Sequence, residues 1–377
     1  MSNQTRKLIE LLRVGKSCNE ICKILKLSNK QLYNNLTNIK NKGLLIFREY
    51  YDTGDITYQL VNEYSNIDYT TIIPSKNTDK IKVLVLSDLH FGNSNERLDL
   101  VYRAFNYCIK RGIHLIFCCG DLIDGTYSRG EQRITDPYEQ VNYFLKNYPC
   151  DKNILTFGVG GDHDLSILTN FGQDFLQALY NYRHDCIVPS YNNALIKINN
   201  ENIVLHHHIQ KDVILDDSRI NFIGHSHKYN VSYEKKDGVL NIKVPSISDI
   251  NVQPYEVLPT VIETELEFSE KELKGVQLSQ IYFGDKDYIL NESYYDLTKD
   301  KTEKKLEKKV ESIKREKRNP KRIFFYLVAP VRFELTHNGV RVHCLTAWLW
   351  GNNIMIILKK LTCCNCFLQL FILKYRR

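Results

Sequence analysis

The stretch IKVLVLSDLH, residues 81–90, places an aspartate and a histidine directly after an apolar, β-branched run. Four later stretches also place aspartate, histidine or both after such a run: IHLIFCCGDLID at 113–124, NILTFGVGGDHD at 153–164, NIVLHHH at 202–208 and RINFIGHSH at 219–227. Such runs are typical of buried strands. In open α/β folds the carboxyl ends of the strands meet at one rim, where ligands bind. The five motifs therefore predict a single polar site at that rim.

The composition indicates a globular chain, with two domains or one large and one small domain. Its 377 residues include 24 Tyr, 16 Phe, 9 Pro and 18 Gly, which argues against disorder and against a collagen-like repeat. The net charge of +7 comes from 51 Lys and Arg against 44 Asp and Glu. This mild excess favours polyanionic partners without identifying one.

The eleven cysteines do not predict a disulfide framework. Six lie in apolar patterns without regular spacing and are interpreted as free thiols of a reducing compartment: Cys18, Cys22, Cys108, Cys118, Cys119 and Cys186. The N-terminus lacks the features of a signal peptide, so we predict a cytoplasmic protein. Cys363, Cys364 and Cys366 have no second Cys/His pair at zinc-site spacing. The apolar stretch around them is shorter than the ~20 residues that span a bilayer, so no membrane contact is expected.

Residues 1–62 are predicted to form three short helices followed by a hairpin. Ser17 with Glu20, and Ser28 with Gln31, have the spacing of capping boxes at the starts of two helices. After them, LLIFREYY and ITYQLV flank the turn sequence DTGD, which is a hairpin signal. This order resembles a winged helix-turn-helix domain, a widespread fold.

In a winged helix the third helix enters the DNA major groove. Polar residues of this helix and of the wing could contact phosphates and base edges: Asn29, Lys30, Gln31, Tyr33, Asn34, Asn35, Lys40, Lys42 and Arg48. Winged helices also serve as protein-docking or dimerisation modules, and a solvated polar face gives the same pattern. DNA is thus one predicted partner, and these alternatives stay open.

Residues 63–80 are polar and turn-rich, which predicts a linker. From 81 to 290, strand-like and helix-like runs alternate, which predicts a mixed α/β sandwich. Its helices are expected at 97–111, 137–147 and 171–183.

Two segments follow this predicted domain. Residues 299–322 are rich in Lys and Arg and predict a solvent-exposed charged helix or linker. From Ile323 the composition changes abruptly. Residues 323–377 are therefore an atypical tail, and whether it has a native fold stays open.

Residues 81–250 resemble the calcineurin-like metallophosphoesterase superfamily. The resemblance is carried by D-x-H at 88–90, G-D at 120–121, GGDHD at 160–164, a later histidine and G-H-x-H at 224–227. The wording GDLIDGTYSRGEQ, followed by DHDLS, is also similar to phage-type and archaeal members, where a winged helix can precede the phosphoesterase. The resemblance implies an α/β fold, a β-sandwich flanked by helices and preceded by a small winged helix-turn-helix domain.

Residue by residue, the resemblance implies a binuclear metal centre. Asp88, His90 and His227 would hold one ion, Asp162, His206 and His225 the other, and Asp121 would bridge them. Mixed nitrogen and oxygen ligands suit Mn, Fe, Zn or Ni. His163 matches the family's non-ligand histidine, which stabilises the phosphoryl oxygens or protonates the leaving group. Asp164 beside it is predicted to orient that imidazole.

Two details of the predicted centre stay open. The ligand from the HHH motif is His206, His207 or His208, and we favour His206 because it directly follows the apolar strand. Asp162 stands where the family has asparagine, which adds a negative charge to the centre. That charge should preserve metal binding, and it could slow turnover by lowering the Lewis acidity of the ions.

The sequence therefore predicts a metal-dependent phosphoesterase, most simply a phosphodiesterase or nuclease acting on a phosphate ester. The alternative is a phage-type DNA-binding regulator whose phosphoesterase domain binds metal but reacts weakly. Tyr127, Arg129 and Arg133 follow Asp121 and are predicted substrate contacts or loop-packing groups. The sequence does not give the oligomeric state.

Overall fold

A computed structural model describes residues 3–62, 70–75, 78–127, 132–208, 218–234, 238–250 and 258–298, and the backbone of four strands between 332 and 376. The chain divides into two compact units, Met1–Thr298 and Lys299–Arg377. Several sites of interest lie outside the described residues: Arg129, the charged segment 299–322, and Cys363, Cys364 and Cys366.

Seven helices lie in the described part of the first unit: α1 (Asn3–Val14), α2 (Cys18–Leu25), α3 (Asn29–Lys40), α4 (Leu98–Arg111), α5 (Pro137–Asn147), α6 (Asp162–Phe171) and α7 (Phe175–Tyr182). Both predicted capping boxes are present. The Ser17 side chain accepts from the Glu20 amide at 3.2 Å, and the Ser28 side chain accepts from the Gln31 amide at 3.3 Å. Within the described residues, no helix combines the length and apolar character needed to cross a membrane.

The helix predicted at 171–183 is present as the shorter α7, and a separate helix, α6, precedes it. Gly172 ends α6 in the left-handed conformation, with φ of +70°. Asp174 then caps α7 by accepting a hydrogen bond from the Gln177 amide. The GDHD motif, expected in a loop after a strand, therefore forms the first turn of α6.

The same unit contains sixteen strands in its described part: β1 (Lys16–Ser17), β2 (Leu45–Tyr51), β3 (Ile56–Val61), β4 (Thr70–Ile73), β5 (Lys80–Leu86), β6 (Leu115–Cys119), β7 (Leu155–Val159), β8 (Cys186–Ile187), β9 (Asn193–Ile198), β10 (Glu201–His206), β11 (Ile220–Ile223), β12 (Asn230–Glu234), β13 (Val239–Lys243), β14 (Thr260–Ser269), β15 (Glu272–Phe283) and β16 (Asp287–Asp296). One sheet has the order β1-β3-β2-β4-β9-β10-β11-β13-β12. The other has the order β16-β15-β14-β5-β6-β7-β8. The predicted mixed α/β architecture with two sheets is thus confirmed.

The two sheets pack face to face around an apolar core. Phe117 of β6 meets Phe222 of β11 across it, with ring centroids 6.1 Å apart. On the outer face of the seven-stranded sheet, α4, α5 and α7 cover a second core that includes Phe105 and Phe144. Strands β5, β6 and β7 are parallel neighbours buried on both faces, which explains their continuous apolar runs.

Strand β4 connects the N-terminal hairpin, β2 and β3, to the rest of the nine-stranded sheet. This strand lies in the predicted linker 63–80, where the β-branched sequence TTII favours an extended backbone. It pairs in parallel with β2 on one side and with β9 on the other. Part of the predicted linker is therefore a strand of this sheet.

Helix α3 packs against α7, which corrects part of the predicted DNA-contact set. The Tyr33 ring stacks on His184 with centroids 4.7 Å apart. The ammonium of Lys40 lies 3.4 Å from the centre of the Tyr180 ring, and the Arg48 guanidinium lies 4.8 Å from it. These three side chains are engaged within the molecule, because α3 and the neighbouring strand β2 pack against α7 and His184.

The second unit contains four described strands: β17 (Arg332–Thr336), β18 (Gly339–Trp350), β19 (Asn353–Thr362) and β20 (Leu370–Arg376). They pair antiparallel in the order β17-β18-β19-β20. That residues 323–377 are an atypical tail stays a prediction, and so does the question of whether the tail has a native fold.

Candidate metal centre

The loops that follow β5 and β6 are held together by their main chains. The amide of Asp88 donates to the carbonyl of Gly120 at 3.0 Å. The amides of Leu89 and His90 both donate to the carbonyl of Asp121 at 2.9 Å. The first two motifs are therefore fixed to each other before any side-chain contact is considered.

Two glycines allow the other loops to approach this pair. A Cβ atom on Gly161 would lie 2.0 Å from the Asp121 carboxylate, and one on Gly224 would lie 2.3 Å from the Cys119 carbonyl. Real Cβ atoms do not come this close to oxygen, so only glycine fits at either position. These glycines bring the motifs at 160–164 and 224–227 against the end of β6.

Five polar residues of the site have left-handed backbones, an uncommon state for residues other than glycine. They are Asp88 (φ 55°), His90 (φ 48°), Asp121 (φ 50°), His225 (φ 64°) and His227 (φ 56°). Residues held in sparsely populated conformations cluster at functional sites, where the surrounding structure enforces them. Here the conformation turns each side chain at a strand end toward the common rim.

A first cluster joins Asp88, His90 and His227, all of which are buried. The Nε2 atom of His227 lies 3.3 Å from Oδ1 of Asp88. One ligand-type atom from each residue lies within 4.8 Å of the others. One carboxylate and two imidazoles at this separation can coordinate a single divalent ion.

A second cluster joins Asp121, Asp162, His207 and His225. The Nε2 atom of His207 lies 3.0 Å from Oδ2 of Asp121 and 3.0 Å from Oδ1 of Asp162. The Nδ1 atom of His225 lies 3.4 Å from the same Asp162 oxygen. Two carboxylates and two imidazoles therefore converge at this point.

Asp121 also faces the first cluster. Its Oδ2 atom lies 3.8 Å from Nε2 of His90 as well as 3.0 Å from Nε2 of His207. Its carboxylate thus lies between the two sets of ligands and is 98% buried. A carboxylate in this position is suited to bridge two ions.

Several buried polar atoms of the centre have no hydrogen-bond partner in the protein. They are both carboxylate oxygens of Asp88, both ring nitrogens of His90 and Oδ1 of Asp162. Buried polar groups in native proteins are nearly always hydrogen-bonded, because leaving them unpaired is costly. Divalent cations would satisfy these atoms, so the residues present fit a metal centre.

The acidic and imidazole groups shift each other's pKa values in opposite directions. Burial opposes the ionisation of Asp88, but the neighbouring His227 imidazole outweighs it and lowers the pKa of Asp88. Burial opposes protonation of His207, but the charge of Asp121 outweighs it and raises the pKa of His207. Since a metal-bound imidazole must be neutral, metal binding would release such protons.

Two of the histidines are oriented by main-chain carbonyls. The Nδ1–H of His207 donates to the Cys119 carbonyl at 2.8 Å, and the Nδ1–H of His227 donates to the Ile250 carbonyl at 3.2 Å. Each bond leaves the Nε2 lone pair facing the acidic residues. Partners of this kind fix the tautomer and ring orientation of metal-binding histidines.

The structure brings His207, not His206, into the second cluster. Ile203 and Leu205 of β10 point into the core between the sheets, and His207 continues that alternation. His206 lies on the other face, where its side chain bonds to Asn221. This placement corrects the preference for His206, because a shift of one residue turns a strand side chain to the opposite face.

The side chain of His163 lies next to both clusters, and its orientation comes from Asp124. Its Nδ1–H donates to the Asp124 main-chain carbonyl at 2.6 Å. Its ring packs edge-on against His90, with centroids 4.6 Å apart. The free Nε2 atom is therefore the one that could exchange a proton with a bound molecule.

Asp164, predicted to orient His163, instead secures the loops of the site. Its buried carboxylate accepts the amides of Leu122 at 3.1 Å, Ile123 at 2.9 Å and Gly161 at 2.8 Å. Burial, and next the charge of Asp121, raise its pKa. The assignment of Asp164 as an orienting partner is thus corrected, because the carboxylate turns back toward the main chain.

Asp124 and Asn93 were not singled out from the sequence as site residues. The Asn93 side chain donates to Oδ1 of Asp124 at 3.0 Å, and this oxygen lies 3.5 Å from Nδ1 of His90. In the sequence Asp124 is marked only as the second acid of GDLID, and an acid at this spacing is also common at loop entries. Nothing in the sequence distinguishes Asn93 from other loop residues.

The predicted substrate contacts near Asp121 differ in their surroundings. Tyr127 is about half exposed, and its ring centroid lies 5.1 Å from that of His163. Arg133 pairs with Glu96 and lies over the Tyr143 ring. Tyr127 is therefore next to the centre, whereas Arg133 is engaged in loop packing.

Residues 81–250 match the family model described as calcineurin-like phosphoesterase. The chain therefore contains a calcineurin-like phosphoesterase domain, and this domain holds both clusters. Among curated proteins, no match to the chain was found.

Several solved structures are similar to part of the chain. Vacuolar protein sorting 29 from Cryptosporidium parvum is 16% identical, covers 58% of this chain and all of its own, and has a TM-score of 0.36. YfcE, a phosphoesterase from E. coli, is 15% identical over 56% of this chain and 98% of its own, with a TM-score of 0.36. The nuclease MPE from Pseudomonas putida is 15% identical over 48% and 83%, with a TM-score of 0.30. None of these likenesses is close enough to indicate an activity.

The adjacent histidines provide a matched test of the second cluster. We expect His207→Ala to weaken binding of Mn²⁺ by ~100-fold or more, because loss of a ligand costs at least as much as loss of its supporting hydrogen bond. His206→Ala should bind Mn²⁺ as the natural protein does. Titration calorimetry on the metal-stripped chain measures both variants. Stronger loss in His206→Ala would contradict the placement of His207.

The role of Asp164 in holding the loops predicts a stability effect. Asp164→Asn should lower the free energy of unfolding by about 3 kcal/mol, because a buried carboxylate with three amide donors is replaced by a group that is itself a donor. Asp136→Asn, at the exposed cap of α5, should change it little, since both residues cap well. Urea denaturation measures the difference. Equal free energies of unfolding for the two variants would contradict the role assigned to Asp164.

Proposed function

We propose that the chain is a metal-dependent phosphoesterase that hydrolyses phosphodiesters at a centre for two divalent ions. The observation that carries this proposal is the position of Asp121, whose carboxylate lies between two His/Asp clusters. The orphaned oxygens of Asp88 and Asp162 and the match to the phosphoesterase family support it.

In this proposal Asp88, His90 and His227 would hold one ion, Asp162, His207 and His225 would hold the other, and Asp121 would serve both. When bound, such ions clamp a phosphate and lower the pKa of a water. The mixed nitrogen and oxygen donors suit Mn, Fe, Zn or Ni.

His163 is proposed to handle the proton of the leaving group. The Asp124 carbonyl accepts from Nδ1–H, so a second proton on the imidazolium resides at Nε2. From there it can be donated to a phosphoryl oxygen or to the departing alkoxide. The hydrogen bond to the main chain of buried Asp124 holds the His163 ring in one orientation, as a general acid requires.

Asp162 is proposed to be a working ligand that also moderates the reaction. Burial opposes its ionisation, but the neighbouring imidazoles of His207 and His225 outweigh this and lower its pKa. The group is therefore a carboxylate and not a neutral acid. Its side chain is 46% exposed, so its charge also faces an incoming phosphodiester.

The proposed substrate class is nucleic acid, held with the help of the N-terminal segment. This segment has the order α1, β1, α2, α3, β2, β3, which supports the proposal that it acts as a winged helix. The side chains of Lys30, Gln31, Asn34 and Lys42 remain exposed after α3 has docked. Lysine and amide groups of this kind can contact phosphates and bases.

Hydrolysis of bis(p-nitrophenyl) phosphate by the full chain, stripped of metal and then titrated with Mn²⁺ or Ni²⁺, tests the proposed activity. We expect turnover with metal, and a fall of ~1000-fold or more in Asp121→Ala, because the shared carboxylate holds both ions. Asp162→Asn should be at least as fast as the natural protein, because it removes a negative charge that faces the substrate.

Folding of each variant is controlled by its circular dichroism spectrum. No turnover by the natural protein with either metal would contradict the proposal. Turnover by Asp162→Asn alone would show that the natural centre binds metal with its chemistry suppressed.

The role of His163 is tested separately from metal binding. His163→Ala should lower kcat by ~100-fold or more for a dinucleotide, whose alkoxide leaving group needs a proton, while Mn²⁺ affinity stays unchanged. The loss should be smaller for bis(p-nitrophenyl) phosphate, because p-nitrophenolate leaves without a proton. Loss of Mn²⁺ binding in this variant would instead identify His163 as a ligand.

A further inference from the structure

A groove of about 740 Å³ lies between α3 and the phosphoesterase domain. Its walls come from α3, from α4 between Tyr102 and Ile109, from α5 between Asn142 and Lys146, and from residues 148–151 and 182–185. Residues 148–151 and 182–185 lie just before β7 and β8 begin, whereas the metal clusters follow the ends of the parallel strands. The groove therefore reaches the end of the parallel strands opposite the metal centre.

The floor of the groove is a buried, charge-neutral structure. The Arg183 guanidinium donates to both carboxylate oxygens of Asp185, at 2.9 and 2.6 Å. It also donates to the carbonyls of Tyr148 and Pro149, at 2.8 and 2.7 Å. Because these bonds fix Arg183 and Asp185, the floor is rigid and its two charges cancel.

The rim carries aromatic rings, carboxamides and ammonium groups. Tyr102 and Tyr182 are 45% and 57% exposed, so their rings are accessible. Three exposed carboxamides and two exposed lysines lie near them: Asn34, Asn106, Asn142, Lys30 and Lys146. Asp151 is the one acid of the lining outside the Arg183 pair, so the lining keeps a net charge of +1 from three cations and two anions.

This chemistry differs from that of the metal centre and from that of an ordinary apolar core. Exposed aromatic rings stack on nucleobases, whatever the base. Carboxamides offer both a donor and an acceptor, which match the edges of bases. Lysine ammonium groups bind phosphate. The volume is within the range of small-molecule sites, and each of these groups is at the rim where a ligand would enter.

We propose that this groove binds an unstacked nucleobase together with its phosphate. The base stacks on Tyr102 or Tyr182, the carboxamides contact its edges, and Lys30 and Lys146 contact the phosphate. Since α3 supplies Lys30 and Asn34, the N-terminal segment completes the site. The proposal does not depend on hydrolysis at the metal centre, because the groove lies apart from it.

A base with its phosphate can come from a free nucleotide or from a single strand of nucleic acid. Titration calorimetry distinguishes the two sources with adenosine monophosphate and with a deoxyadenosine strand of about eight nucleotides. The full chain is used, in buffer with a chelator, so that the strand is not consumed. Binding of both probes assigns the groove to nucleotides in general, and binding of the strand alone assigns it to single-stranded nucleic acid.

Surface tyrosines give matched variants. We expect Tyr102→Ala and Tyr182→Ala each to weaken binding by ~5- to 100-fold, as for loss of one stacking ring. Lys146→Gln should weaken binding and reduce its dependence on salt. Tyr138→Ala is the control, because Tyr138 is a 57% exposed tyrosine of α5 outside the groove lining. It should bind as the natural protein does.

Absence of binding by the natural protein to both probes would overturn the proposal. An effect of Tyr138→Ala equal to that of the groove variants would also overturn it. Hydrolysis of bis(p-nitrophenyl) phosphate by the groove variants should be unchanged. If the natural protein binds the probes through the groove but hydrolyses nothing, the groove assignment stands and the proposed enzymatic function fails.

Discussion

The centre depends on the placement of one buried carboxylate, that of Asp121. Its main-chain carbonyl holds the amides of Leu89 and His90, and its side chain faces His90 and His207. Asp121 thus holds the loop after β5 through its main chain and faces the histidines of the centre through its side chain. Because Asp121 is almost fully buried, its charge is stable only among cationic or metal-binding partners. Histidines that follow separate strands lie around this carboxylate at the end of β6.

Bringing the loops so close has a conformational cost, which the rest of the fold offsets. Five polar residues adopt left-handed backbones, each at a cost of about 1–3 kcal/mol. The buried carboxylate of Asp164 fixes three amides of these loops, and glycines at 161 and 224 remove the side chains that would clash. Two sheets packed around a continuous core provide the stability that this arrangement needs.

The N-terminal segment is part of the same molecule in a physical sense, because β4 connects its hairpin to β9. Packing against α7 and His184 engages Tyr33 and Lys40 of α3 and Arg48 of β2, so α3 has only its outer side available. The same docking creates the groove lined by Lys30 and Asn34. The same packing therefore reduces the predicted DNA-contact set of α3 and the hairpin and forms the proposed nucleotide groove.

From the sequence alone one could predict the strands that carry the motifs, both capping boxes and the meeting of those motifs, because apolar runs, capping residues and strand-end polarity are local patterns. It also indicated the residue types of the centre, including Asp162 and His225. Only the tertiary structure decided between His206 and His207, since that choice depends on which face of β10 meets the core. The roles of Asp124 and Asp164, and the docking of α3, likewise follow from contacts between residues distant in sequence. No local pattern encodes such contacts.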